Sequence, residues 1–270
     1  MATGRVDSIR MVTWLAPGLP LALFEAVRKR LEGELGVTVC LESRTKLSGP
    51  EVGSLDPFAH ALAEVGFLCA PAAVPHTVRE QAGFELLELA PLFDDPRYRN
   101  QPTCYCDLVV HQDSTANGLD DLQGMRFGYN DSSSLSGWLG LAAELERRNT
   151  RPEDFFGTLI QTGGHKGSLA ALREKSIDVA SIDSNVLRTH PADLEGLKIV
   201  ASVGPWPSQP VVVRTTLDAA LKARIRAALL QCGPWPEWGF VGFRNQGATE
   251  LEAVPSAAGS RGVLPTNHSV

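Results

Sequence analysis

Strand-like and helix-like segments alternate along this chain almost from its start, and that alternation restricts the fold more than any other feature. It calls for an α/β architecture with parallel strands and helical crossovers. Ile9 to Leu15 reads as a strand and about Leu21 to Leu35 as a helix, followed by strands at Val37 to Leu41 and Val65 to Cys69. Leu23, Val27, Leu31 and Leu35 form the buried stripe of that helix, and Gly36 stands where a helix ends. Ser43 to Asp56 is loop-like, and a short helical segment is expected around Phe58 to Leu62.

The apolar strand Tyr105 to Gln112 leaves a first block, and Pro210 to Arg214 returns to it. Between them lie strand-like runs at Arg126 to Tyr129, Thr158 to Gln161, Val179 to Ile182 and Leu197 to Val203, with helices expected after Ser136, His165 and Ser184. The reading is a bilobal chain with one lobe from 1–110 plus 211–270 and an inserted lobe from 111–210, joined by two hinge crossings. A helix from Asp218 to Gln231, a turn with Trp235 and Trp238, a strand Phe240 to Phe243 and a polar tail from Ser256 complete it.

At 270 residues and 43% hydrophobic, the chain can bury a sizeable core. Its net charge of −6 argues against a general nucleic-acid or anionic-membrane binder, so any anion site must be local. No run approaches the length of a membrane span, and Val12 to Phe24 is broken by Pro17, Gly18 and Pro20. As written, the N-terminus shows no basic leader with an apolar core. The expectation is an extracytoplasmic protein if a leader has been removed and a cytoplasmic one if the chain is complete. Cys40, Cys69, Cys104, Cys106 and Cys232 lack zinc or redox spacing and read mostly as buried thiols. No metal and no cofactor is expected.

Tyr129-Asn130-Asp131-Ser132-Ser133-Ser134-Leu135-Ser136-Gly137-Trp138 places four serines in five positions where a strand meets a helix. The first turn of a helix has unpaired N–H groups and a partial positive charge, which the hydroxyls of Ser134 and Ser136 supplement, so the turn suits an oxyanion. The plainer alternative is a serine that only caps the helix. Two further features fall at strand ends of the same lobe, where open α/β sheets place ligands. Thr162-Gly163-Gly164-His165 sets an imidazole at a helix start, as an anion donor or as a surface or capping residue. Val179-Ala180-Ser181-Ile182-Asp183-Ser184 ends a strand in a carboxylate, which either caps the next helix or discriminates a ligand's ammonium or protonated oxygen.

The order of serine turn, Gly-Gly-His, Val-Ala-Ser-Ile-Asp-Ser and Gly204-Pro205-Trp206-Pro207-Ser208-Gln209-Pro210 resembles the phosphonate-binding, PhnD-like branch of ABC-transporter substrate-binding proteins. The resemblance runs from about Ala63 to Gln231. It implies a bilobal type II periplasmic-binding-protein fold, no catalysis, and capture of a small oxyanion such as phosphonate, phosphate or phosphite in an interlobe cleft, with an ABC permease as partner. Carried over by position, Ser134 and Ser136 match the hydroxyl turn, with Ser133 beside them also expected at the ligand, His165 matches the neighbouring histidine and Asp183 the acidic strand end. Leu135 departs from the usual threonine and retains only its backbone donor. Where the family supplies aromatic residues from the first lobe, Trp14 and Tyr105 are the substitutes. Trp14 equally suits a core position, and Arg44 or Lys46 either brings positive charge or stays solvated. The alternatives are a cytosolic lyase of menaquinone- or thiamin-precursor type on the same fold, or an intracellular ligand sensor. Against the lyase, no nucleophile and base pair is apparent.

Overall fold

The computed structural model describes residues 8–44, 48–50, 55–74 and 83–255. In chain order the elements begin with β1 (Ser8–Thr13), α1 (Leu21–Leu35), β2 (Thr38–Ser43), β3 (Val65–Phe67), α2 (Ala70–Ala73), β4 (Phe84–Leu86) and β5 (Leu89–Phe93). They continue with β6 (Thr103–His111), β7 (Arg126–Tyr129), α3 (Gly140–Arg147), α4 (Pro152–Phe155), β8 (Thr158–Gln161), α5 (His165–Arg173), β9 (Val179–Asp183) and α6 (Ser184–Thr189). The last are β10 (Leu197–Pro207), β11 (Val211–Arg214), α7 (Ala219–Leu230), β12 (Phe240–Asn245) and α8 (Ala248–Leu251). The described chain divides into two compact units, one drawn from Met1–Thr103 and Pro207–Ala253, the other centred on Cys104–Trp206.

The first unit is built on a five-stranded sheet in the order β2-β1-β3-β11-β4. β1 lies parallel to β2 and β3, whereas β11 is antiparallel to both β3 and β4. Val211, Val212 and Val213 are fully buried, as a strand between two neighbours requires. α1 packs on β2 and α7, burying Leu23, Phe24, Val27, Leu31 and Leu35. Each such side chain is worth about 1.5–3 kcal/mol against exposure. Gly36 closes the helix at φ 67, a conformation that costs a side-chain-bearing residue energy.

Just before β3, Glu64 is buried and takes two bonds from the Arg10 guanidinium, Nε at 3.0 Å and Nη2 at 2.6 Å, with Arg214 at 3.3 Å.

Two expectations for this unit need correction. Phe58 to Leu62 is a turn, not a helix: the Asp56 carboxylate accepts from Phe58 N and Ala59 N, and Leu62 N and Ala63 N both return to Pro57 O. Ala61 at φ 53 bends the chain out of the helical path, and the Phe58 ring, 1% exposed, fixes the turn against Phe84. β4 and β5 were not anticipated. They are separated by Glu88 at φ 57, and β5 carries Pro91, which is tolerated because β5 pairs with β12 alone in a two-stranded ribbon. Lys46 and the tail from Ser256 lie outside the described residues.

The second unit holds a sheet in the order β10-β6-β9-β7-β8. β7 is parallel to β8 and β9, and β6 is antiparallel to β9, with Cys106 opposite Asp183. Three carboxyl ends and the amino end of β6 therefore meet at one edge of the sheet. Phe127 stacks on Phe156 at 4.5 Å and Tyr129 meets Trp138 at 4.8 Å, which anchors the segment after β7 to the core. No disulfide occurs among the described cysteines; Cys40 is exposed, while Cys69, Cys104, Cys106 and Cys232 are buried as thiols.

Candidate functional site

The serine turn leaves β7 with an Asx turn that the sequence reading did not single out. Asp131 Oδ1 accepts from Ser133 N at 2.9 Å and from the Ser133 hydroxyl at 2.5 Å. Ser134 then caps the helix, its Oγ accepting from Gly137 N at 3.1 Å. Both Ser134 and Ser136 are 2% exposed. The capping alternative thus holds for Ser134, and its hydroxyl proton stays available for a further acceptor.

The first turn is not an α-turn. Leu135–Leu139 is a π-helical turn, in which Leu139 N reaches Ser134 O at 2.9 Å and Gly140 N reaches Leu135 O. Such wide turns carry one extra residue and concentrate at functional sites. Gly137 is needed here for space, since a Cβ would stand 1.6 Å from Asn130 Oδ1. Leu135 points into the core at 2% exposure, so only its backbone can serve a ligand.

The loop after β8 is tied directly to this turn: Thr162 N donates to Tyr129 O at 2.8 Å and Gly163 N to Asn130 O at 3.1 Å. Gly163, at φ 79, lets the chain swing into α5. His165 is the first residue of that helix, and its Nε2 lies 3.3 Å from Ser136 Oγ. Its Nδ1 is closed to solvent with no hydrogen-bond partner among the described residues. Burial lowers the imidazole from 6.5 to about 4, partly opposed by the Asp131 carboxylate, so the ring is neutral at pH 7 and offers one N–H.

Asp183 ends β9 at 3% exposure and caps α6 by accepting from Asn185 N at 2.8 Å. Tyr105, half-buried in β6, donates its backbone N–H to Ser184 Oγ at 2.8 Å, which brings it beside Asp183. Ser181, two residues before Asp183 in β9 and fully buried, donates its hydroxyl to Ser136 O at 2.5 Å. The second unit therefore gathers Ser133, Ser134, Ser136, His165, Asp183 and Tyr105 at one end of one sheet. Trp14 belongs to the first unit, where its ring is 6% exposed within a core cluster with Phe58 and Leu68, and the Arg44 guanidinium lies 5.5 Å over it. Asn130, Asp131 and Ser181 escaped the sequence reading because their partners become neighbours only through the turn and the sheet.

The fold has close counterparts among solved structures. A binding-protein component of an ABC phosphonate transporter from Pseudomonas aeruginosa superposes with a TM-score of 0.72 at 18% identity, over 91% of this chain and 83% of that one. PhnD1 from Prochlorococcus marinus, solved with methylphosphonate, gives a TM-score of 0.72 at 12% identity, over 91% and 95%. The periplasmic aliphatic sulphonate binding protein SsuA from Escherichia coli gives 0.57 at 13%, over 83% and 67%. No curated protein matches the sequence at a significant level.

The class is thus a type II periplasmic-binding-protein fold, α/β in both units. The sequence itself carries the narrower assignment, since residues 21–245 match one family profile over most of the chain. The chain belongs to the phosphonate ABC-transporter periplasmic substrate-binding protein family. That family consists of transporter binding proteins, not enzymes, and nothing supports the lyase alternative.

Proposed function

We propose that this protein binds a small phosphorus oxyanion, a phosphonate, phosphate or phosphite, at the serine turn, and passes it to an ABC permease. The observation that carries the reading is the approach of Ser136 Oγ to His165 Nε2 at 3.3 Å, at the head of a wide helical turn. A tetrahedral oxyanion placed there meets amide donors of the first turn, the Ser134 and Ser136 hydroxyls and a neutral imidazole N–H. Family membership and the methylphosphonate complex of a structural relative support the same ligand class. Asp183 beside such a site favours a ligand with a protonated oxygen or an ammonium group, because a bare carboxylate repels a full dianion.

Titration calorimetry with methylphosphonate, phosphate and phosphite tests the reading. Ser136→Ala combined with His165→Ala weakens binding by more than about tenfold, or roughly 1.4 kcal/mol, with the fold retained. Unchanged affinity rejects the site. A thermal-shift panel that includes sulfate and aliphatic sulfonates ranks the anions by mass action, and stabilisation by sulfonates alone would move the ligand class.

A further inference from the structure

We infer that Ser181 is a positioning residue of the anion site, holding the first turn after Ser134 in its wide form so that Ser136 faces the ligand. The inference rests on the reading of the serine turn as an anion site. In an α-turn the Ser136 carbonyl would accept the N–H of Gly140, four residues on. Here Gly140 N goes to Leu135 O, and the Ser136 carbonyl is turned to the sheet, where the Ser181 hydroxyl donates to it. Both residues are closed to water, Ser136 at 2% and Ser181 fully buried, so no solvent molecule substitutes readily for that donor.

Cys106 adds a weak contact from β6, its Sγ 3.8 Å from Leu135 O. Two consecutive carbonyls of the turn are thus addressed by side chains of two adjacent strands, and the Ser181 bond is the strong one. With its carbonyl fixed to β9 and its Oγ beside His165, Ser136 has one orientation. Removing the Ser181 hydroxyl takes a buried donor from that carbonyl, and relaxation of the turn toward α-geometry, in which Gly140 N replaces it, swings the Ser136 N–H and hydroxyl off the anion.

Three variants test this. Ser181→Ala removes the donor, Ser181→Thr retains a hydroxyl, and Thr189→Val deletes a different buried hydroxyl of the same unit, the bond to Val186 O at 3.0 Å in α6. Calorimetry with methylphosphonate, phosphate and phosphite is expected to show about tenfold weaker binding for Ser181→Ala, and binding within about threefold of wild type for Ser181→Thr and Thr189→Val. Wild-type affinity in a folded Ser181→Ala overturns the inference. Amide NMR shifts in the ligand-free protein give a second readout: the Leu139 and Gly140 amide resonances move in Ser181→Ala, as their acceptors change from Ser134 O and Leu135 O to Leu135 O and Ser136 O, and stay in place in Thr189→Val. Unmoved amide resonances there also overturn it. If the wild type binds none of the three anions, the proposed function fails, while the amide shifts still decide the role of Ser181.

Discussion

His165 makes the electrostatics of the site measurable without any ligand. Burial lowers its imidazole from 6.5 to about 4, so the folded ring holds a proton less tightly than the unfolded one. The preference for the neutral ring is worth about 3 kcal/mol in full. Because the folded value is the lower of the two, this contribution is complete above pH 6.5 and is lost as the pH falls toward 4. At pH 5 the unfolded chain has gained its proton and the folded one has not, a loss of about 2 kcal/mol relative to pH 8. His165→Asn removes the titrating ring and should flatten that part of the profile. Urea unfolding followed by tryptophan fluorescence from pH 8 to pH 5, in wild type and variant, gives the difference directly and cancels carboxylates common to both. The imidazole proton resonance of His165 supplies the site value, expected near 4. Parallel stability curves, or a resonance that titrates at 6 or above, would refute the reasoning.

Other perturbations probe the site and its frame. Gly137→Ala puts a methyl group 1.6 Å from Asn130 Oδ1 and displaces that side chain, costing about 1–3 kcal/mol in urea unfolding and abolishing detectable phosphonate binding by calorimetry. Asp183→Asn preserves the cap on α6, since asparagine caps as well as aspartate. Its thermal midpoint stays close to wild type, while calorimetry between pH 5.5 and 8.5 shows a flatter dependence of affinity on pH and little change in tightness at the optimum. Glu64→Ala leaves Arg10 and Arg214 without their shared carboxylate and costs about 3 kcal/mol, read from the urea midpoint at pH 7.

Much of this architecture was legible in residue order. α1 was readable because Leu23, Val27, Leu31 and Leu35 share one helical face and Gly36 ends it, and both facts are local. The serine turn, His165 and Asp183 were recognisable as strand-end residues, and the parallel pairing of β7 with β8 and β9 places all three at one edge. What escaped depends on distant partners or on local geometry with no periodic signature. β5 looks broken in sequence because it carries Pro91, and only pairing to β12, about 150 residues away, makes it a strand. Phe58 to Leu62 has helical composition, yet Asp56 and the left-handed Ala61 close it as a turn. The wide turn at Leu135–Leu139 differs from an α-turn by one residue in hydrogen-bond spacing, which composition does not encode. The side chain bonded to it, Ser181, is in sequence one more small residue in an apolar strand.

The second unit draws its sheet from the single stretch Cys104–Trp206, whose entry and exit strands, β6 and β10, are neighbours in that sheet. Gln112 N meets Gly196 O at one end of that pair, and Ser208 N meets Pro102 O just beyond the other. Start and finish of that stretch therefore lie side by side, so a host loop carrying it would not need to be stretched. Neighbouring ends of this kind are the geometry that gene fusion into a loop requires.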